Sequence, residues 1–139
     1  MKKALFCTAC GAGLTGPLTI HSGKDPKVAA PEQRAKEPMM PAGEVFKSYE
    51  PIERSYGEEP ALLEFTPQHW LNPADVAEAV RMTSCVKRLG GCCGEAGSNG
   101  PNQVCRCGAF VGTLRTDCWT PHLFIPDPAA TEWRDVFQD

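Results

Sequence analysis

Two cysteine–glycine steps sit far apart in this chain. Cys7-Thr8-Ala9-Cys10-Gly11 lies near the start, and Cys105-Arg106-Cys107-Gly108 lies in the last third. A Cys-x2-Cys turn aims two sulfurs at one point, and the glycine that follows lets the backbone turn back at positive φ. If both steps serve one centre, the chain between them is a closed loop of about 95 residues, the kind of loop in which a crosslink removes most chain entropy. That single requirement limits the fold more than any other feature.

Four thiolates in a tetrahedron are a favoured donor set for zinc. The pattern therefore predicts Zn2+ as cofactor, held by Cys7, Cys10, Cys105 and Cys107. The second step is Cys-x-Cys, one residue short of the usual turn, so Cys107 with its glycine is the firmer ligand of that pair. Cys92-Cys93-Gly94 is a third cysteine–glycine step, and one of its two thiols is an alternative fourth ligand in place of Cys105. Adjacent cysteines diverge and rarely share one ion. Cys118 joins Cys92 and Cys93 as a candidate for a second site, so one or two zinc ions both fit. Cys85 has no partner in sequence and reads as a small buried hydrophobe. The competing account is disulfides, which an even count of eight cysteines permits.

Compartment bears on that choice. Met1-Lys2-Lys3-Ala4-Leu5-Phe6 opens like the charged end of a signal peptide, but the apolar run stops at Phe6, short of the roughly 7–15 residues required. A lipid anchor at Cys7 fails for the same reason. No stretch approaches the roughly 20 apolar residues of a membrane span, and no Asn-x-Ser/Thr occurs. The expectation is a cytoplasmic protein without a membrane role, where thiols stay reduced and bind metal.

The 139 residues make one zinc-stabilised domain, 1–139. Thirteen prolines and thirteen glycines oppose long regular elements, and 8% aromatic content thins the core, so a staple is needed. The fold expected is α+β: a small, β-rich and loop-rich zinc-ribbon-like domain with one main helix after Asn72. Asn72 suits an N-cap, Pro73 the first turn and Asp75 the positive end of the helix dipole, while Val76, Ala79, Val80 and Thr83 share a face. Leu14, Leu18 and Ile20 are spaced as a hairpin around Gly16-Pro17. Residues 22–42 read as a long mobile loop, with room for a short helix between Pro31 and Pro38. Strands are expected around Val45-Phe46, over Ala61–Phe65, over Phe110–Arg115 and at Leu123-Phe124-Ile125. Thr66–His69 fits a single turn, and a short helix fits from Thr131.

The motif frames resemble known ones. Cys7-x2-Cys10-Gly11-x-x-Leu14 is similar to the zinc-ribbon knuckles of many unrelated proteins. Gly91-Cys92-Cys93-Gly94, Gly97, Gly100-Pro101-Asn102, Cys105, Cys107-Gly108 and Asp117-Cys118 resemble a family of uncharacterised bacterial zinc-ribbon-like proteins. The likeness covers residues 7–14 and 91–118. Members of that family usually carry Cys-x2-Cys where this chain has Cys105-x-Cys107. The resemblance implies zinc binding and no particular activity.

Other chemistry is sparse. The sequence holds no Ser-His-Asp order, His-Glu-x-x-His, Walker loop or dinucleotide fingerprint. His21, His69 and His122 read as packing or surface residues, although His122 follows Cys118 at a spacing zinc tolerates. A net charge of −3 lacks the basic excess of a nucleic-acid surface. The function expected is a non-enzymatic zinc-binding module that mediates a protein–protein interaction or an accessory, immunity-type role, with an unknown protein partner. Trp119 and Phe124 are the candidate partner surface, against the reading that Trp119 simply fills the core. The first alternative is a thiol-dependent redox enzyme or metal handler using Cys7/Cys10 or Cys92/Cys93. The second is a nucleic-acid-binding zinc ribbon.

Overall fold

The computed structural model describes residues 2–31, 37–50, 65–77, 80–82, 102–115 and 122–136. These hold nine strands: β1 (Lys2–Cys7), β2 (Leu18–Ser22), β3 (Glu44–Ser48), β4 (Gln68–Leu71), β5 (Val80–Met82), β6 (Gln103–Cys105), β7 (Phe110–Arg115), β8 (Leu123–Pro126) and β9 (Thr131–Asp135). All nine join one sheet in the order β5-β6-β7-β8-β4-β3-β2-β1-β9, curled into a half-barrel. Every pairing is antiparallel except β2 with β3.

The central strands bury both faces. Register aligns Val45, Leu71 and Phe124 across β3, β4 and β8, and places Phe46 beside Trp70. Successive side chains point to opposite faces. Val45, Leu71 and Phe124 therefore join Leu5, Leu14, Leu18, Val111, Cys7 and Cys105 in one cluster. Phe46, Trp70, Leu123 and Ile125 face the other way and pack with Met39 and Met40. Unbroken apolar triplets such as Leu123-Phe124-Ile125 follow from this two-sided burial. A one-sided sheet would alternate apolar with polar.

The parallel β2–β3 pair requires a long crossover. The connection from Ser22 to Glu44 supplies it, and its described parts pack on the sheet: Met39 and Met40 are buried and Val28 is partly buried. Its apolar residues act as the lid of the second cluster. The short helix considered between Pro31 and Pro38 lies mostly outside the described residues.

The α+β expectation is overturned: this is an almost wholly β structure, not a zinc ribbon with a main helix. At Asn72 the local signals work for one turn. The Asn72 side chain accepts from the Ala74 N–H, and Pro73–Asp75 form a single 3-10 turn. The chain then extends at Val76, whose ψ is 130°. Thr15 bridges Val76, and the Ala77 N–H donates to the Leu14 carbonyl at 2.7 Å instead of to a helical carbonyl. Val80 goes on into β5. Capping residues name a start, but tertiary hydrogen bonding outbids the weak helix preference of β-branched valines.

Two smaller expectations change in the same way. The turn at Thr66–His69 gives way to β4 from Gln68, and the tail helix from Thr131 is the edge strand β9, paired along its length with β1. Its Glu132, Arg134 and Asp135 are partnered by charge, through Glu132–Arg134 and Lys3–Asp135. A charged edge discourages pairing with another chain. Strands at Val45-Phe46, Phe110–Arg115 and Leu123–Ile125 are where the sequence predicts them. Most of the Ala61–Phe65 run lies outside the described residues.

Gly112 in β7 has a packing reason. A Cβ there would lie 2.5 Å from Phe124 Cζ and 2.6 Å from the Ile125 carbonyl oxygen. Phe124 is buried and the carbonyl is backbone, so neither can yield. Gly112→Ala is expected to cost about 1–3 kcal/mol or more by overpacking. Urea denaturation checks this; a variant as stable as the parent would show that β7 and β8 can part without penalty.

Candidate metal centre

The cysteine cluster is built by two hairpin turns that face each other. In the first, β1 ends at Cys7 and the chain folds back: Gly11 N–H donates to the Cys7 carbonyl at 2.8 Å, and Cys7 N–H donates to the Ala12 carbonyl at 2.9 Å. The return arm stays on β1, with Leu14 N–H bonded to the Leu5 carbonyl and Leu5 N–H to the Thr15 hydroxyl. Gly11 sits at φ 76°, which a side chain rarely tolerates.

The second turn joins β6 to β7 with the same plan in one residue fewer. Gly108 N–H donates to the Cys105 carbonyl at 2.8 Å, Cys105 N–H donates to the Ala109 carbonyl at 2.9 Å, and Gly108 lies at φ 93°. The short Cys-x-Cys spacing thus closes as a tight β-turn, with Cys105 on the strand and Cys107 on the turn. Each turn offers one buried sulfur, Cys7 or Cys105, and one exposed sulfur, Cys10 or Cys107.

The four sulfurs all lie within 4.8 Å of one another and can hold a metal ion. Cys7 Sγ is 3.7 Å from Cys107 Sγ, and Cys10 Sγ is 3.6 Å from Cys105 Sγ. A disulfide needs about 2.05 Å; all four are free thiols. The set includes Cys105, which the spacing left open. Cys85, Cys92, Cys93 and Cys118 lie outside the described residues, as does Trp119, so the second site considered for them does too.

This meeting depends on the curl. β6 and β1 are six strand spacings apart in the sheet. Flat, that is about 29 Å at about 4.8 Å per strand. The cysteines meet only because the sheet bends round, and the Thr15–Val76 bridge and the Ala77–Leu14 hydrogen bond tie the same seam beside them. These seam residues carry no sequence signal, because a cross-sheet hydrogen bond depends on backbone position and not on side-chain type.

Electrostatics at Cys10 favour the neutral thiol in the metal-free cluster. The Ala12 backbone N–H is hydrogen-bonded to Cys10 and by itself lowers its pKa. Burial and the Cys105 thiol raise it; Cys107 lowers it and Cys7 raises it, and the net direction is up. A nucleophilic cysteine needs the opposite shift. The Ala12 N–H is also the kind of outer contact that orients a metal-bound sulfur, and as a backbone group it carries no signal in the residue types.

Other candidate residues fall elsewhere. Phe124 is no partner surface: it is 1% exposed and packs in the core beside Leu71. Its place in β8 between two apolar neighbours fixes that. His21 pairs with Glu44 at 2.8 Å, and His122 hydrogen-bonds through its backbone to Glu37 and Met39. His69 packs against Trp133, with ring centroids 5.1 Å apart. None of the three belongs to the four-cysteine set. No helix among the described residues is long and apolar enough to cross a membrane.

No family model, curated protein or solved structure matches this chain.

Proposed function

We propose that this chain is a non-enzymatic module in which one zinc ion, held by Cys7, Cys10, Cys105 and Cys107, clips the curled sheet shut and so presents a rigid surface to a protein partner. The observation that carries this reading is the convergence of four sulfurs from two facing turns within 4.8 Å. A tetrahedral ion with Zn–S of about 2.3 Å sets its sulfurs about 3.8 Å apart. The cross-turn contacts of 3.6 and 3.7 Å match that edge. Four protein thiolates fill a tetrahedron and leave no position for water or substrate, which is the pattern of a structural site. In the metal-free cluster the raised pKa of Cys10 weighs against a thiol enzyme there, and a net charge of −3 weighs against nucleic acid.

Chain purified without added metal is expected to carry about one zinc ion at this site, as elemental analysis reads it. The four thiols there should react with a thiol reagent only after a chelator is added. Folded, metal-free protein whose thiols react at once would defeat the proposal.

A further inference from the structure

We propose that the four-cysteine cluster is also an oxidative modification site, which peroxide converts into two disulfides running between the turns, Cys7 to Cys107 and Cys10 to Cys105. The proposal rests on the metal reading above and adds what the same sulfurs do when oxidised: they surrender the metal while the sheet stays closed.

Position decides which sulfurs react first. Cys10 and Cys107 are exposed, whereas Cys7 and Cys105 are buried at strand ends. Each exposed sulfur has a buried one across the seam, at 3.6 Å for Cys10–Cys105 and 3.7 Å for Cys107–Cys7. Metal ligation keeps cysteine deprotonated, so in the zinc-loaded chain Cys10 is a thiolate whatever the metal-free thiol favours. It attacks one peroxide oxygen, the O–O bond breaks, and hydroxide leaves to be protonated to water. Cys10 is then a sulfenic acid. The Cys105 thiolate displaces hydroxide from that sulfur and forms the S–S bond, and the hydroxide takes up a proton as a second water. Two thiolates have lost two electrons to one peroxide. Cys107 and Cys7 repeat the step with a second peroxide.

The pairing follows from the turns. Cys105 and Cys107 flank one residue in a turn held by the Gly108-to-Cys105 hydrogen bond, with one sulfur buried and the other exposed. Bonding them to each other would break that turn, so oxidation of all four must cross the seam. Of the two ways to cross, the observed contacts select the one that matches each exposed sulfur with a buried one. The sulfurs close by about 1.6 Å to reach a bond of about 2.05 Å. Cys10 and Cys107 sit on turns and can supply most of that movement. The new bonds join positions 100 and 95 residues apart, the same positions the metal joined. The long loop therefore stays closed.

The test uses the zinc-loaded full chain titrated with hydrogen peroxide. Zinc release is read with a chromogenic chelator, disulfides are mapped by mass spectrometry after acid alkylation, and fold is read by near-ultraviolet circular dichroism. Expected are about one zinc released per two peroxides consumed, both named bonds, an unchanged spectrum, and recovery of the metal on adding a dithiol and zinc. A Cys7–Cys10 bond, a bond to Cys85, Cys92, Cys93 or Cys118, sulfinic or sulfonic acid at these positions, or release accompanied by unfolding would each overturn the inference while leaving the metal reading intact. A chain that never takes up zinc would overturn both.

Discussion

Removing the metal, or any one of its four cysteines, is expected to open the sheet. Structural zinc sites contribute roughly 10–16 kcal/mol of apparent binding energy. A whole domain is stable by only about 5–15 kcal/mol. Hydrogen bonding on the described seam is slight beside this: one isolated bridge and one backbone hydrogen bond, each worth about 1 kcal/mol net, join the Thr15 arm to Val76 and Ala77. The rest of the closure is the apolar cluster that Leu5 and Leu14 share with Val111. Chelation should therefore lose the cooperative thermal transition. Cys7→Ser and Cys105→Ser should be the severest variants, because they also place a hydroxyl in the apolar cluster around Leu5 and Val111. Cys10→Ser and Cys107→Ser should lose metal but leave more residual structure, since both residues are exposed. Cys85→Ser should keep its zinc. Elemental analysis beside thermal melts decides the matter. A Cys7→Ser protein that melts like the parent, or a Cys85→Ser protein without zinc, would be incompatible with the assignment.

The second large effect is expected from pH, through His69. Burial, with Lys47 and Lys3 nearby, pushes its pKa down from 6.5 to about 4. Above pH 6.5 the ring is neutral in both folded and unfolded chains, and stability is full. As pH falls from 6.5 towards 4, the unfolded chain takes up a proton that the folded chain refuses. Stability is therefore lost across that window, by at most about 3.5 kcal/mol at about 1.4 kcal/mol per pH unit. His69→Gln should flatten this part of the profile. Thiolate protonation also loosens the metal in acid, so zinc content must be followed at each pH. Urea midpoints for parent and variant at pH 7 and pH 4.5 give the difference. Parallel slopes would mean that His69 is not the titrating group.

How much of this was legible beforehand differs from residue to residue. Cys7-x2-Cys10-Gly11 and Cys107-Gly108 declare themselves because a metal knuckle is local: the ligand spacing and the positive-φ glycine lie within five residues. The strands at Phe110–Arg115 and Leu123–Ile125 are legible for the same reason. Asn72 shows the limit of local signals. Its cap forms as written, yet Val76 and Ala77 spend their backbone on Thr15 and Leu14, some sixty residues earlier, and no pattern in the helix window encodes that.

Sequence by itself determined three of the candidate donors, Cys7, Cys10 and Cys107, and the glycines that follow them, since these depend on residue type and short spacing. Only the tertiary structure decided that Cys105 completes the cluster, that Phe124 is core, that Thr131–Asp135 is a strand and that no main helix follows Asn72. Each of these depends on which strands become neighbours. Sheet pairing is a long-range contest for backbone hydrogen bonds and two-sided burial. It places Cys7 beside Cys107 across a hundred residues by curling the strands between them.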